Sequence, residues 1–137
     1  MTKQFWLNLP SKNVNKSREF FVQMGFKLNE QFGNNAHQAS LMIGKKNVIL
    51  MLFNEETFKS FTGTDIPDIT NFTDVLFSID AESPEEVDEM ARKAVAAGGK
   101  CDHTPQDEQG WLYGCVFTDL DGHRWNVLHM DMSKMPK

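Results

Sequence analysis

The stretch QFWLNLPSKNVNKSREFFVQMGF, residues 4–26, decides how this chain folds. Residues 4–9 alternate between apolar and polar side chains, which predicts a strand that Pro10 ends. Apolar residues then recur at helical spacing over Val14–Met24, and Asn13 stands where a helix cap is favoured. The stretch therefore predicts one strand followed by one helix.

Three further strands are predicted after this helix, separated by turns rich in glycine and asparagine. The segment 54–72 then changes character, and we interpret it as a linker that contains a short helix near Glu55–Phe61. Its scattered aromatic residues indicate that it packs against the rest of the chain. The three strands are Lys27–Phe32, Ala36–Ile43 and Val48–Phe53.

The same order of elements returns in the second half. Thr73–Ile79 alternates as a strand, and Ser83 with Glu86 forms a capping box ahead of an apolar helical stripe that ends at two glycines. Three more strands are predicted at Lys100–His103, Leu112–Thr118 and Arg124–Met130.

The repeated order predicts an α+β fold made of two βαβββ modules within one domain, 1–137. Module one covers about 4–53, the linker 54–72, and module two about 73–130. One helix covers only one face of each four-stranded sheet, so we expect paired, curved mixed sheets with a concave ligand trough.

Composition narrows the class of protein. The chain has 137 residues, 40% of them apolar, and a formal net charge of −5, which suits one globular domain and disfavours nucleic-acid binding. No stretch reads as a signal peptide or a membrane helix, so we expect a cytoplasmic protein. Its two cysteines, Cys101 and Cys115, are expected to be reduced thiols.

Two motifs at opposite ends of the chain resemble one family. The segment LPSKNV, residues 9–14, with Ser17 and Phe20 in the helix after it, resembles the opening of vicinal-oxygen-chelate proteins. The segment FTDLDGHRWN, residues 117–126, resembles their ending. This superfamily contains glyoxalases, bleomycin-resistance proteins and extradiol dioxygenases, and the resemblance spans roughly residues 4–130.

The resemblance implies a site on the concave face, where the metal enzymes take ligands from the first and last strand of each module. Those four positions fall on Trp6, Met51, Asp74 and Asn126. Tryptophan does not ligate and methionine is a soft donor, so we expect no catalytic metal and no other cofactor.

The candidate ligand-binding residues are those that point into the expected trough, with two aromatic residues at its lip. For the apolar members, filling of the core is an equal alternative, and for the lip residues, packing on a partner chain is. They are Trp6, Asn8, Met51, Phe53, Asp74, Trp111, Tyr113 and Asn126.

The four histidines, His37, His103, His123 and His129, show no ligand spacing. His123 lies in a turn with Asp119 and Asp121, and we expect the aspartate side chains to accept hydrogen bonds from the turn backbone. A surface metal site is the alternative there.

The function expected from these observations is that of a glyoxalase- or bleomycin-resistance-like protein that binds a small organic molecule without a metal. The first alternative is a metal-dependent lyase or isomerase of lactoylglutathione-lyase type, or an extradiol-type dioxygenase. The second is a cofactorless enzyme in which Asp74 is the general base, since a desolvated carboxylate becomes more basic. The resemblance also implies a homodimer, and we expect no nucleic-acid or membrane partner.

Overall fold

The computed structural model describes residues 1–102 and 105–136, and the chain divides into two compact units, Met1–Thr70 and Asn71–Lys137. Each unit contains one four-stranded mixed sheet. Both follow the order strand, helix, three strands, so the two predicted βαβββ modules are confirmed.

The first unit contains four strands and two helices. Its strands stand in the order β1-β4-β3-β2, with β1 parallel to β4 and the other neighbours antiparallel. The elements are β1 (Trp6–Ser11), α1 (Val14–Gln23), β2 (Lys27–Leu28), β3 (Gln38–Ile43), β4 (Val48–Asn54) and α2 (Glu55–Thr62).

Helix α1 forms the core of the first unit together with one face of the sheet. The Asn13 side chain accepts from the backbone of Lys16 and so caps the helix. Phe20 and Phe21 are buried on the helix, Leu41 and Leu50 are buried on the sheet, and α1 packs on β3 and β4. The opposite face of this sheet is thus left without α1.

The second unit repeats this plan in the order β5-β8-β7-β6, with β5 parallel to β8. Ser83 caps its helix by accepting from the backbone of Glu86, as the capping box predicts. The elements are β5 (Leu76–Asp80), α3 (Pro84–Ala96), β6 (Gln106–Glu108), β7 (Leu112–Thr118) and β8 (Arg124–Met130), followed by a short 3-10 turn (Met132–Lys134).

The predicted strand Lys100–His103 is wrong. Lys100 makes a single antiparallel bridge to Thr118, and the strand that pairs with β7 is Gln106–Glu108. The bridge at Lys100 is the one strand-like pairing described in that range, and His103 lies outside the described residues. Strand β5 also begins later than predicted, at Leu76 instead of Thr73.

Two predictions in the first unit are corrected as well. Pro10 does not end β1 but lies within it opposite Phe53, and β1 is an edge strand of its sheet, where proline is tolerated. Strand β2 stops at Leu28 and does not continue to Phe32. The Asn34 side chain accepts from the backbone of Ser40, so a side chain takes the place of a longer β2.

Candidate functional site

Four predicted site residues share one face of the first sheet. Strands β1 and β4 pair so that Asn8 stands beside Met51 and Pro10 beside Phe53, while Trp6 stands beside Ile49. Side chains alternate along a strand, so these positions all point to the face opposite α1. We call this face, made of Trp6, Asn8, Pro10, Gln38, Ser40, Met42, Ile49, Met51 and Phe53, the open face of the first unit.

The open face is neutral and combines aromatic, thioether and amide groups. Trp6 is 43% exposed, whereas Met51 and Phe53 are buried. Ser40 is fully buried and accepts from the Asn29 amide at 3.1 Å. Phe53 packs edge-on against Phe61 of α2, with ring centroids 5.0 Å apart. Met51 and Phe53 therefore serve as packing, and Trp6 and Asn8 are the exposed groups that can contact a ligand.

A cavity of about 820 Å³ adjoins the open face within the first unit. Ile49, which stands beside Trp6 in the strand register, and Met42, which stands beside Ile49, belong to its wall, whereas Trp6 is not among the lining residues. Phe5 and Leu28 add apolar surface to this wall, and Lys3, Glu30 and Lys46 are its charged members. Sequence reasoning missed this cavity because its wall joins the segment before β1 to the distant turn between β3 and β4.

In the second unit, Asn126 lies on the sheet face opposite α3. It stands between Ser78 of β5 and Val116 of β7, and its amide donates to Ser78 Oγ at 3.3 Å. The buried side chains of Phe117 and Trp125 lie on the other face, toward α3. Asn126 is half-buried and thus offers an amide oxygen on an otherwise largely apolar strand.

Asp74 precedes β5 in an irregular segment and is exposed. Its own unit therefore supplies none of the desolvation that a carboxylate base requires. Its charge does act on His123, where it is one of the influences that raise the histidine pKa.

The two aromatic residues predicted to form a lip lie differently from one another. Tyr113 points toward α3, where its hydroxyl donates to Asp88 Oδ1 at 2.6 Å, so it does not share a face with Asn126. Trp111 precedes β7, and its indole donates to the Gln109 side chain at 3.4 Å. The register of the β7–β8 hairpin could have predicted this. Thr118 pairs with Arg124, so Phe117 pairs with Trp125, and Tyr113, four residues before Phe117, lies on the same face as Trp125.

The turn 119–123 is held by one buried carboxylate. Asp119 Oδ1 accepts from the backbone of Asp121 and of His123, each at 3.0 Å, which confirms the predicted turn bonding. Asp119 Oδ2 accepts from the indole of Trp125 at 3.0 Å, and His123 Nδ1 lies 3.2 Å from both carboxylate oxygens. This cluster packs the turn onto the core.

The pKa of His123 is raised above its ordinary value. Burial lowers it, but the hydrogen bond and the negative charge of Asp119 act in the opposite direction and outweigh burial. The other described histidines are engaged elsewhere: His37 lies 2.9 Å from the Asn54 amide, and His129 lies 3.1 Å from the Ala81 carbonyl.

The family's metal does not fit the residues at the equivalent positions. Trp6 provides no lone pair, Met51 provides a soft sulfur, and the Asn126 amide nitrogen is already directed at Ser78. Over residues 1–102 and 105–136, no three histidine, cysteine or acidic side chains come together in a way that could hold a metal ion.

The fold and these motifs define a class of protein. A model of the Glyoxalase/Bleomycin resistance protein/Dioxygenase superfamily matches residues 3–127, and the chain belongs to that superfamily. No curated protein matches the chain. No helix in the described part of the chain is long and apolar enough to cross a membrane.

Solved structures agree with this assignment. A hypothetical protein from S. aureus is 30% identical with a TM-score of 0.81, covering 93% of this chain and 94% of that one. Lactoylglutathione lyase from Agrobacterium tumefaciens is 16% identical with a TM-score of 0.64, and 93% of each chain is covered. A bleomycin resistance determinant encoded on transposon Tn5 is 16% identical with a TM-score of 0.61, covering 96% of this chain and all of that one. The last two similarities concern the fold alone.

Proposed function

We propose that the protein binds a small organic molecule on the open face of the first unit and acts by sequestering it, without the metal of its enzymatic relatives. The observation that supports this proposal is a cavity of about 820 Å³ whose wall includes Ile49, the strand neighbour of the exposed indole of Trp6. Ligand pockets of drug-sized molecules commonly fall in the range of about 300–1,000 Å³.

The chemistry of the face indicates the kind of ligand. A flat, largely apolar group would stack on Trp6 and contact Met42 and Ile49, and it would gain affinity from burial of apolar surface. The Asn8 amide provides one donor and one acceptor next to the indole and would orient a polar substituent. An indole, an amide and apolar side chains can bind a ligand, but they are not the groups that usually transfer protons or attack bonds. The face therefore suits binding better than catalysis.

The remaining predicted residues enter the proposal as contacts to be tested. In the second unit, Asn126 offers an amide oxygen to a ligand. Trp111 and Asp74 are further candidate contacts there, and each can be tested by substitution. Tyr113 is the weakest of the set, because its hydroxyl is already bonded to Asp88.

The test begins with a library of aromatic compounds, ranked by the rise they cause in the melting temperature and then measured by calorimetry. Trp6→Ala and Asn8→Ala should each weaken the best ligand by about tenfold or more, which corresponds to about 1.4 kcal/mol. Phe72→Ala is the matched control, since Phe72 is an aromatic side chain 73% exposed in the second unit. Equal losses in Trp6→Ala and Phe72→Ala would contradict the assigned site.

The metal-dependent alternative has its own measurement. The purified protein is dialysed against nickel, zinc, manganese and iron salts, and its metal content is measured before and after. We expect substoichiometric metal throughout. A stoichiometric metal that is lost in Asp74→Asn and Asn126→Ala would overturn the metal-free proposal and favour a lyase or dioxygenase.

We also propose that the protein is a homodimer in the cytoplasm. Exposed apolar side chains on the strands and beside them support self-association, with Phe5 68% and Leu76 51% exposed. Sedimentation velocity should give twice the monomer mass, and Phe5→Ser or Leu76→Ser should shift it toward the monomer. A monomer at all concentrations would contradict this part of the proposal.

A further inference from the structure

The two cysteines of the chain lie against one another in the second unit. Lys100 bridges Thr118 in antiparallel fashion, so the next residue, Cys101, lies close to strand β7. Cys115 is two residues along β7 from Phe117 and shares the face toward α3, and Cys101 lines a cavity together with residues of α3. The Cys101 thiol is among the groups that raise the pKa of Cys115, as expected of two thiols that lie close together.

The two cysteines differ in how far they are exposed to solvent. Cys115 is 5% exposed in β7, whereas Cys101 is half-buried in the irregular segment before β6. Cys101 also lines a cavity of about 480 Å³ on the side of α3. The wall of that cavity is largely apolar, with Asp88 and Arg92 as its charged members, so it suits a small neutral molecule beside Cys101.

We propose that Cys101 and Cys115 form a peroxide-reactive thiol pair, in which Cys101 is oxidised first and Cys115 resolves it to a disulfide. The oxidant class is hydrogen peroxide or a small alkyl hydroperoxide. Regular pairing stops at Lys100, so the Cys101 backbone can adjust to the short Cβ separation that a disulfide needs.

The reaction balances in two steps. The Cys101 thiolate attacks one peroxide oxygen, the S–O bond forms, the O–O bond breaks, and water or an alcohol leaves with the thiol proton. The Cys115 sulfur then attacks the Cys101 sulfenic acid, the S–S bond forms, the S–O bond breaks, and the departing hydroxide takes the Cys115 proton as water. Two thiols are thereby oxidised and one peroxide is reduced.

The order of attack follows from burial. Desolvation, with the nearby Cys101 thiol, raises the pKa of Cys115 to about 12, so Cys115 remains a thiol at neutral pH. The more accessible Cys101 is therefore the first target. Because the resolving sulfur must also lose its proton, disulfide formation should speed up as the pH rises.

The test treats the folded protein with a stoichiometric amount of hydrogen peroxide and maps its peptides without reduction. We expect a Cys101–Cys115 cross-link, reversed by dithiothreitol, in the monomeric chain. In Cys115→Ser, dimedone should trap a sulfenic acid on Cys101, and in Cys101→Ser, Cys115 should remain unmodified.

Several results would overturn the proposal. They are a wild-type protein that keeps both thiols, cross-links that form only between chains, and oxidation of Cys115 in Cys101→Ser. The urea-unfolded chain provides a further control. If it forms the disulfide as fast as the folded protein, the geometry of the fold plays no part and the proposal fails.

Discussion

Tyr113 donates a hydrogen bond of 2.6 Å to Asp88 and thereby joins strand β7 to helix α3. The hydrogen bond, the partial desolvation of the phenol and the negative charge of Asp88 raise the pKa of Tyr113 above its ordinary value. Through this contact Tyr113 helps to hold strand β7 against helix α3. Its ionisation can be measured directly, because Tyr113 is the single tyrosine of the chain.

Replacing Asp88 should move the ionisation of Tyr113. In Asp88→Asn the amide oxygen can still accept from the phenol, but the negative charge is gone, so the Tyr113 pKa should fall toward its ordinary value. Ultraviolet absorbance followed against pH reports this one phenol directly. Glu85→Gln is the matched control, since Glu85 is the weakest of the influences on Tyr113 and its loss should cause a smaller shift. Equal shifts in the two variants would contradict the assignment.

Removing the Asp119 side chain should lower the free energy of unfolding more than removing most other polar side chains. Asp119→Ala leaves the indole of Trp125 and the turn amides without their acceptor in a buried place. We expect the free energy of unfolding to fall by about 2–5 kcal/mol, measured by urea denaturation. Asp80→Ala, at an exposed position on β5, should change it by less than about 0.5 kcal/mol. A similar loss in both variants would show that the buried carboxylate does not hold the turn.

The His123 interaction should appear as a pH dependence of stability. Because the pKa of His123 is raised in the folded state, its contribution is complete below the unfolded pKa of roughly 6.5 and is lost as the pH rises through the folded pKa. Unfolding curves of the wild type and His123→Gln should therefore differ most under mildly acidic conditions and converge as the pH increases. A difference that stays constant with pH would rule out a charged His123 paired with Asp119.

Gly114 is required by a close approach within the second sheet. A Cβ at this position would lie 2.7 Å from Leu128 Cδ2 and 2.7 Å from the Val127 carbonyl oxygen. The carbonyl is backbone and cannot move aside, so Gly114→Ala should destabilise the protein by about 1–3 kcal/mol. Gly33→Ala is the control, since a Cβ there would meet only side-chain ends at 3.4 Å or more. A wild-type melting temperature for Gly114→Ala would contradict the predicted clash.

Much of the fold was predictable because local patterns agree with it. The alternation ahead of Pro10 corresponds to strand β1. The caps predicted at Asn13 and Ser83 begin helices α1 and α3. The prediction failed where a tertiary contact replaced a local one. At Ser40, the backbone N–H donates to the Asn34 side chain where a longer β2 would have paired. At Lys100, the structure has a single bridge where a strand was predicted.

The candidate site was predictable only in part. Alternation along β1 placed Trp6 and Asn8 on one face, but only the parallel register with β4 brought Met51 and Phe53 beside them. The cavity next to Trp6 depends on residues far apart in sequence, and no local pattern encodes such a meeting.

The sequence by itself determined the two βαβββ modules, because hydrophobic periodicity and capping residues act over a few neighbouring positions. It also led to the prediction of a metal-free site, because the donor chemistry of Trp6 and Met51 belongs to each residue type. Only the tertiary structure decided that Tyr113 bonds to Asp88 and that Cys101 lies close enough to Cys115 to raise its pKa. The physical reason is that strand register and helix docking are set by packing across the whole unit, and these determine which face each side chain occupies.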